Sequence, residues 1–122
     1  MKLLIVDDHA GVRDMIRQSF AATAQVKECA SGEEAVRVAG EFRPDCITMD
    51  IRLPGISGME ALRAIIAAGS CGRIVMVSAY DQPELRQAAA DAGAAAYVCK
   101  DNLAELPLLF AADSGSRSGQ AS

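Results

Sequence analysis

Residues 2–9 read KLLIVDDH, an apolar run that ends in two adjacent carboxylates, Asp7 and Asp8. Two later apolar runs also end on charged side chains: Asp50 follows residues 46–49, and Lys100 follows residues 94–99. If each run is a buried parallel strand, its carboxyl end lies at the sheet edge where open α/β folds bind ligands. Three carboxylates and one ammonium group would then meet in one pocket.

Carboxylates that crowd one pocket repel each other, so they persist at neutral pH only when a divalent cation or a proton lies between them. Carboxylate oxygens suit hard cations such as Mg²⁺ or Mn²⁺. The placement of these charges therefore indicates a phosphoryl site that depends on Mg²⁺, or on Mn²⁺ in its place.

Length and composition limit the other possibilities. The chain has 122 residues, which favours a single domain. Its net charge is -4 and it has no basic segment, so we expect no direct nucleic-acid binding. No apolar run approaches the roughly 20 residues that a membrane span requires, and no signal peptide is recognisable, so we expect a cytoplasmic protein. The spacing of Cys29, Cys46, Cys71 and Cys99 supports neither zinc binding nor a disulfide framework.

Short β-rich runs alternate with helical periods, which predicts a parallel sheet with crossover helices. The predicted strands are residues 2–6, 25–29, 46–49, 73–78 and 95–99. The apolar stripes of the first three helices are Val12, Met15, Ile16, Ser19 and Phe20; Ala35, Val38, Ala39 and Phe42; Met59, Leu62, Ile65 and Ile66. Each stripe should face the sheet.

Local chemistry marks the helix starts. Ser31 with Glu34, and Ser57 with Glu60, match the capping box, in which a hydroxyl and a carboxylate satisfy free backbone donors. Pro83 marks another start, because the missing N–H of a proline at the first helical position would have had no partner there.

The residues at the ends of these runs resemble those of the response-regulator receiver domain of two-component signalling, from residue 1 to about residue 110. The matching stretches are IVDDH at 5–9, ITMDIRLPG at 47–55, VSA at 77–79 and YVCK at 97–100. The resemblance implies a doubly wound, flavodoxin-like α/β fold with strand order 2-1-3-4-5 and a short or irregular fifth helix. It also implies a receiver domain at 1–112 and a Ser/Gly-rich tail or linker at 113–122.

The resemblance further implies a phosphorylation site and a metal site. Asp50 would accept a phosphoryl group from a histidine kinase or a phosphotransfer protein. Asp8, Asp50 and the backbone carbonyl of Arg52 would bind Mg²⁺ directly, and Asp7 would act mainly through a coordinated water.

The resemblance to receiver domains also implies roles for three more residues around the same pocket. Lys100 would neutralise a phosphoryl oxygen, and the Ser78 hydroxyl would move to bind another. Tyr97 would swing inward as Ser78 is recruited, changing the surface of helix 4, strand 5 and helix 5. Such a protein is a switch, and its only chemistry is transfer to its own aspartate and loss of that phosphate.

The residues taken singly leave simpler interpretations open. Asp7 could cap a helix, Ser78 could be a structural strand end, and Tyr97 could be a half-buried core aromatic. Lys100 could be a solvated loop charge. His9 could be a metal ligand, but Mg²⁺ prefers oxygen donors, so a helix-entry residue is favoured.

Two enzyme classes also stay open at this point. A flavodoxin-like cofactor protein would share the fold class, but its phosphate loop should be rich in Ser, Thr and Gly, whereas this loop reads Asp7-Asp8-His9. A haloacid-dehalogenase-type phosphatase also uses a phosphoaspartate, but it places a second Asp two residues later, where this chain has Arg52.

The chain departs from the common receiver pattern at Asp101, where the family usually has a proline after its lysine. Lys100-Asp101 resembles receivers attached to helix-turn-helix transcriptional regulators, so the alternative function is a receiver of a DNA-binding regulator. Arg52 and Tyr80 match positions that control access of water to the acyl phosphate. Both are bulky here, which predicts slow loss of the phosphate.

Pro107 lies inside the predicted fifth helix, where a proline costs about 3 kcal/mol. A helix that restarts there should be too short to bury the apolar residues Leu103, Leu106, Leu108, Leu109 and Phe110. The exposed remainder predicts a homodimer, or exchange of residues 101–112 between chains, that phosphorylation strengthens.

Overall fold

The computed structural model describes residues 1–20 and 24–110. The elements in chain order are β1 (Lys2–Val6), α1 (Ala10–Ser19), β2 (Gln25–Cys29), α2 (Gly32–Phe42), β3 (Cys46–Asp50), α3 (Gly58–Ala68), β4 (Arg73–Ser78), α4 (Pro83–Ala92) and β5 (Ala96–Cys99). A 3₁₀ helix (Lys100–Glu105) and a helical turn at 106–110 follow. The predicted tail at 113–122 lies outside the described residues. No helix within them is long and apolar enough to cross a membrane.

The five strands form one parallel sheet in the order β2-β1-β3-β4-β5, which confirms the predicted fold. The strand bounds differ from the prediction by one residue at two places. β3 continues through Asp50, which pairs with Val77 of β4, and β5 begins at Ala96. Asp50 is therefore held by the sheet itself and does not belong to a following loop.

Each face of the sheet carries its own core, because successive side chains of a strand point to opposite faces. Leu4 and Val6 of β1 pack on the side of α2, α3 and α4. Leu3 and Ile5 pack on the side of α1 and the C-terminal segment. Both faces are covered, as a parallel sheet requires.

The predicted helix starts are largely confirmed, and two apolar residues were placed wrongly. Ser57 and Glu60 form a complete capping box, whereas Glu34 binds the amide of Ala30 in place of the Ser31 amide. Met15 is 57% exposed and Ile66 is 43% exposed, so neither faces the sheet as predicted. Each lies at the margin of a stripe that the neighbouring residues fill.

Gly58 fixes the distance between the end of β3 and the start of α3. Its amide donates to the carbonyl of Ile51 over 2.8 Å. A Cβ at this position would lie 2.0 Å from the carbonyl oxygen of Asp50. Only glycine allows this approach, so the turn after Asp50 depends on it.

The C-terminal segment buries more apolar surface than predicted. The 3₁₀ helix ends before Leu106, so Pro107 falls in the first turn of the next helical segment, where its missing N–H costs nothing. Leu103, Leu106 and Phe110 are 6%, 0% and 4% exposed. The prediction that these residues lack a common face was wrong, and only the expectation for Leu108, which is 71% exposed, was right.

Candidate functional site

Three carboxylates meet at the carboxyl end of the sheet. Asp7 follows β1, and Asp50 is the last residue of the neighbouring strand β3. Asp7 and Asp50 are buried, whereas Asp8 stands at the rim. Each of the three, together with His9, offers a ligand atom within 4.8 Å of the others, as the ends of the apolar runs predicted.

Lys100, the first residue after β5, brings the positive charge to this cluster. Its Nζ lies 3.0 Å from Asp7 Oδ2 and 3.4 Å from Asp50 Oδ2. Burial lowers the pKa of the ammonium, but its close contact with the Asp7 carboxylate and the negative charges of Asp50 and Asp7 outweigh burial, so the pKa is raised. Lys100 is thus not the solvated loop charge that its position alone allowed.

Asp50 is a weaker acid than an ordinary aspartate. Its burial, reinforced by the nearby charge of Asp7, raises its pKa from 3.8 to about 6. The charge and hydrogen bond of Lys100 oppose this shift, as does the amide of Arg52, which lies 3.4 Å from Asp50 Oδ1. A cation bound beside Asp50 would favour its charged form.

The donor set fits a hard divalent cation. Carboxylate oxygens of Asp7, Asp8 and Asp50 lie within 4.8 Å of one another, and oxygen donors are those that Mg²⁺ prefers. Asp7 Oδ2 is buried and accepts no well-aligned hydrogen bond, although the Lys100 ammonium is close. The site therefore has acceptor capacity that the protein does not use.

His9 lies at the start of α1, as the interpretation of His9 as a helix-entry residue predicted. It is the N-cap residue, and its amide donates to Asp7 Oδ1 over 2.9 Å. Its Nδ1 also lies 3.1 Å from Asp8 Oδ1, and the side chain is 69% exposed. The imidazole thus stands beside the carboxylates but on their solvent side.

An open pocket of about 230 Å³ lies above these groups. Asp8, Asp50, Ser78 and Lys100 belong to its walls. Ser78 closes β4 and is 2% exposed, and its Oγ accepts a hydrogen bond of 3.0 Å from the amide of Tyr80. The pocket brings a carboxylate, a hydroxyl and an ammonium together, which suits a small anion held next to a cation.

Arg52 and Tyr80 form one rim of the pocket. The guanidinium carbon of Arg52 lies 4.5 Å from the centre of the Tyr80 ring, which is a cation–π distance. Both residues also line the pocket. The two side chains that the sequence identified as bulky therefore stack on each other in the lining of the pocket.

Tyr97 does not line the pocket but is connected to it. Its hydroxyl donates to the carbonyl of Tyr80 over 2.5 Å. Arg86 of α4 lies 4.8 Å from the Tyr97 ring centre, and its Nη1 donates to the Tyr97 carbonyl over 3.2 Å. The Tyr80 backbone thus joins Tyr97 to Ser78.

Two arginines near these groups were missed from the sequence. Arg86 holds Tyr97 as described above, and Arg13 of α1 donates to the Asp7 carbonyl over 2.7 Å. Arg13 comes one helical turn after His9, and an arginine so close after the acidic pair was the available signal. No pattern in the sequence pairs Arg13 with Glu28 of β2.

Comparison with known proteins gives a consistent picture. The model for the response regulator receiver domain matches residues 3–109. The response regulator GacA of Pseudomonas syringae is 36% identical over 110 residues, which are 87% of this chain and 51% of GacA. The chain spans about half the length of GacA and of other curated transcriptional regulators that it matches.

Solved structures agree with this match. A LuxR-family two-component response regulator from Aurantimonas sp. SI85-9A1 is 33% identical, with a TM-score of 0.84 over 94% of this chain and 85% of that one. The receiver domain of the histidine kinase CKI1 from Arabidopsis thaliana, solved with Mg²⁺ and BeF₃⁻, is 26% identical. Its TM-score is 0.80, over 93% of this chain and 89% of that one.

Proposed function

The chain belongs to the response-regulator receiver domain family of two-component signalling, and on that premise we propose that it is a switch phosphorylated on Asp50. The observation that carries the proposal is the burial of Asp50 beside the Asp7 carboxylate and the Lys100 ammonium. Membership of the receiver family favours this role over a flavodoxin-like cofactor protein and over a haloacid-dehalogenase-type phosphatase, the two classes that the sequence left open. We expect the protein to act in the cytoplasm and to have no separate substrate.

The donor would be a phosphohistidine, since receivers of this family interact with histidine kinases or phosphotransfer proteins. An Asp50 oxygen forms a bond to phosphorus, while the bond from phosphorus to the donor imidazole nitrogen breaks and that nitrogen keeps the electron pair. The product is an acyl phosphate. Lys100, 3.4 Å from Asp50, would compensate charge on the oxygens of the transferring group.

Receiver domains of this family bind Mg²⁺ at an acidic pocket, and the CKI1 receiver was solved with Mg²⁺ and BeF₃⁻. We assign Asp8, Asp50 and the carbonyl of Arg52 as direct ligands here, and Asp7 as a ligand through water. Mn²⁺ has the same preference for oxygen and could replace Mg²⁺. A bound cation would reduce the charge that opposes attack by Asp50.

The response to the phosphate would pass through Ser78. Its hydroxyl now accepts from the Tyr80 amide, and after transfer it would donate to a phosphoryl oxygen. Movement of the Ser78 and Tyr80 backbone would loosen the hydrogen bond from Tyr97 to the Tyr80 carbonyl. Tyr97 could then turn inward, and the surface of α4, β5 and the C-terminal segment would change.

The stacked pair of Arg52 and Tyr80 would also affect the lifetime of the acyl phosphate. Both side chains line the open pocket, where their bulk would hinder an attacking water. We therefore propose that phosphate loss is slow. Replacing Tyr80 with Ala should speed it.

The phosphoacceptor is tested by treating the whole chain with acetyl phosphate and Mg²⁺ and measuring its intact mass. Wild type should gain one phosphate, and Asp50→Asn should gain none. Asp14→Asn, which removes an exposed carboxylate of α1, is the matched control and should be modified like wild type. The proposal is wrong if Asp50→Asn is modified as fully as wild type.

A second candidate function is that of the receiver domain of a DNA-binding transcriptional regulator. The 33% identity to a LuxR-family regulator and the Lys100-Asp101 pair favour it. The reading frame of the gene tests it: a DNA-binding region encoded in the same frame would support this candidate. A frame without one would leave the receiver alone as the signalling unit.

Self-association through residues 101–112 remains a prediction. Residues 111–112 lie outside the described part of the chain, and Leu108 is the strongly exposed leucine among the described residues of the segment. Sedimentation with and without beryllofluoride tests it. A monomer under both conditions would contradict the prediction, whereas a dimer lost in Leu108→Ser would support it.

A further inference from the structure

Arg13 makes two directed contacts beside the acidic pocket. Its Nη1 donates to the backbone carbonyl of Asp7 over 2.7 Å, and its Nε donates to Glu28 Oε1 over 2.8 Å. The side chain is 19% exposed and runs from α1 across to β2, where Glu28 lies. Arg17, one turn later on α1, binds the other oxygen of Glu28.

These contacts hold the peptide group between Asp7 and Asp8. On the other side of Asp7, its amide donates to the carbonyl of Cys29 in β2 over 3.1 Å. The Asp7 carbonyl belongs to the same peptide plane as the Asp8 amide, so its orientation determines the direction in which the Asp8 side chain leaves the backbone. A free carbonyl would let that plane rotate and carry the Asp8 carboxylate away from Asp50.

We propose that Arg13 is a positioning residue for the cation pocket, holding the Asp7–Asp8 peptide so that the carboxylates of Asp7, Asp8 and Asp50 converge. The inference rests on the proposed function, in which those carboxylates bind a divalent cation. Arg13 cannot be a ligand itself, because it carries the same sign of charge as the metal. Glu28 orients it and balances its charge.

The planar guanidinium is what allows both contacts at once. Its donors point in fixed directions, so one group can bind a carbonyl on one edge and a carboxylate on another. Lysine keeps the charge but offers a compact ammonium without that geometry. Arg13→Lys therefore separates the positioning effect from the effect of charge.

The direction in which the Mg²⁺ affinity changes distinguishes a positioning role of Arg13 from a purely electrostatic one. A positive charge near the pocket repels a cation, so removing it by Arg13→Gln would tighten Mg²⁺ binding if charge alone mattered. Loss of positioning predicts weaker binding for both variants. Groups that orient metal ligands typically contribute about 10- to 100-fold to metal affinity, and we expect a loss in that range.

The experiment measures the Mg²⁺ dissociation constant of the whole chain by calorimetric titration, with urea unfolding of the metal-free protein in parallel. Arg17→Lys is the matched control, because Arg17 binds the same Glu28 but has no contact with Asp7 in the structure. Arg13→Lys should weaken Mg²⁺ binding about 10-fold or more, and Arg17→Lys should leave it within about twofold. If Arg13→Lys does not fold, Glu28→Gln loosens the same guanidinium and should weaken binding in the same direction.

Three results would overturn the inference: Arg13→Lys binding within about twofold of wild type, tighter binding by Arg13→Gln, or an equal loss in Arg17→Lys. Failure of the proposed function is a different outcome. In that case wild type itself would bind no Mg²⁺ and accept no phosphate from acetyl phosphate, and the inference about Arg13 would fall with it.

Discussion

The two sides of the pocket are held by different kinds of contact. On the carboxylate side, Asp7, Asp50 and Lys100 form ion pairs that are mostly shielded from water. On the aromatic side, Tyr80 is 43% exposed and stacks against Arg52 at the surface. Breaking a buried ion pair costs about 3–5 kcal/mol, whereas an exposed cation–π contact contributes about 0.5–1 kcal/mol.

The weaker contacts of the aromatic side allow that side to move. The carboxylates and Lys100 are in place before a phosphoryl group arrives, so the chemistry needs little rearrangement. The aromatic side, where Arg86 lies on Tyr97 and Tyr97 binds the Tyr80 carbonyl, can rearrange at small cost. A switch needs both properties: a fixed site that reacts and a loosely held surface that responds.

The largest expected effect is on the carboxylate side, at Lys100. Replacing it with Gln removes the ammonium that lies close to Asp50, so the rate of modification by acetyl phosphate should fall by about 10²-fold. The initial rate of phosphate incorporation, followed by intact mass, measures this. Lys27→Gln, which removes an ammonium that stacks on Phe42, is the control. A Lys100→Gln rate within about threefold of wild type would contradict a fixed, reactive side.

The metal ligands of the same side should differ in importance. Asp8→Asn removes a proposed direct ligand, and Asp7→Asn removes one that acts through water. Loss of Asp7 should weaken Mg²⁺ binding about tenfold, as for a group in the outer shell, and loss of Asp8 should weaken it further. Calorimetric titration of both variants gives the order. Equal losses would refute this assignment of roles.

Asp50 should make the metal-free protein less stable above neutral pH. The fold raises its pKa from 3.8 to about 6, so the folded state holds the proton more tightly than the unfolded state. The contribution of Asp50 to stability is therefore fully present below about pH 4 and is lost as the pH rises through about 6.

Asp50→Asn removes this dependence on pH. Because Lys100 keeps its ion pair with Asp7, no buried charge is left alone, and the free energy of unfolding of Asp50→Asn should exceed that of wild type by about 1–3 kcal/mol at about pH 8. The difference should vanish below about pH 4. Urea unfolding of both proteins across this pH range measures it, without Mg²⁺. A difference that stays constant with pH would show that burial of the Asp50 charge has no cost.

The smallest effect belongs to the aromatic side, at Arg86. Arg86→Ala removes a surface stack on Tyr97, so stability should fall by about 0.5–1 kcal/mol. The exposed ion pair with Asp81 should add nothing measurable. The environment of Tyr97 should nevertheless change, which is visible in the ¹⁹F spectrum of protein labelled with 3-fluorotyrosine. A stability loss like that of a buried ion pair would contradict the comparison between the two sides.

Much of the fold and the pocket was predictable because the signals are local. An apolar run predicts a buried strand, and a charged residue at its end predicts a place on the sheet edge, which located Asp7, Asp50 and Lys100. The segment around Pro107 was misjudged for a local reason too. A helical segment that restarts at Pro107 was expected to be too short to bury the apolar residues, but Leu103 is buried from the preceding 3₁₀ helix, and Leu106 and Phe110 from the restarted segment.

The roles of Arg13 and Arg86 could not be predicted in the same way. In the sequence, Arg13 is a polar residue of an amphipathic helix close after the acidic pair, but nothing nearby indicates Glu28 as its partner. Its contact with Glu28 exists only because β2 lies next to β1 in the sheet. Contacts of this kind depend on tertiary neighbours and not on periodicity, so only the structure reveals them.

Filling the pocket beside Asp50 should move the aromatic side while the carboxylate side stays in place. The chain has two tyrosines, Tyr80 and Tyr97, so 3-fluorotyrosine labelling gives two ¹⁹F resonances that Tyr80→Phe assigns. Mg²⁺ alone should leave the Tyr97 resonance near its starting position, and Mg²⁺ with beryllofluoride should move it in wild type but not in Asp50→Asn. A Tyr97 resonance that stays in place after beryllofluoride has bound to wild type would contradict the claim.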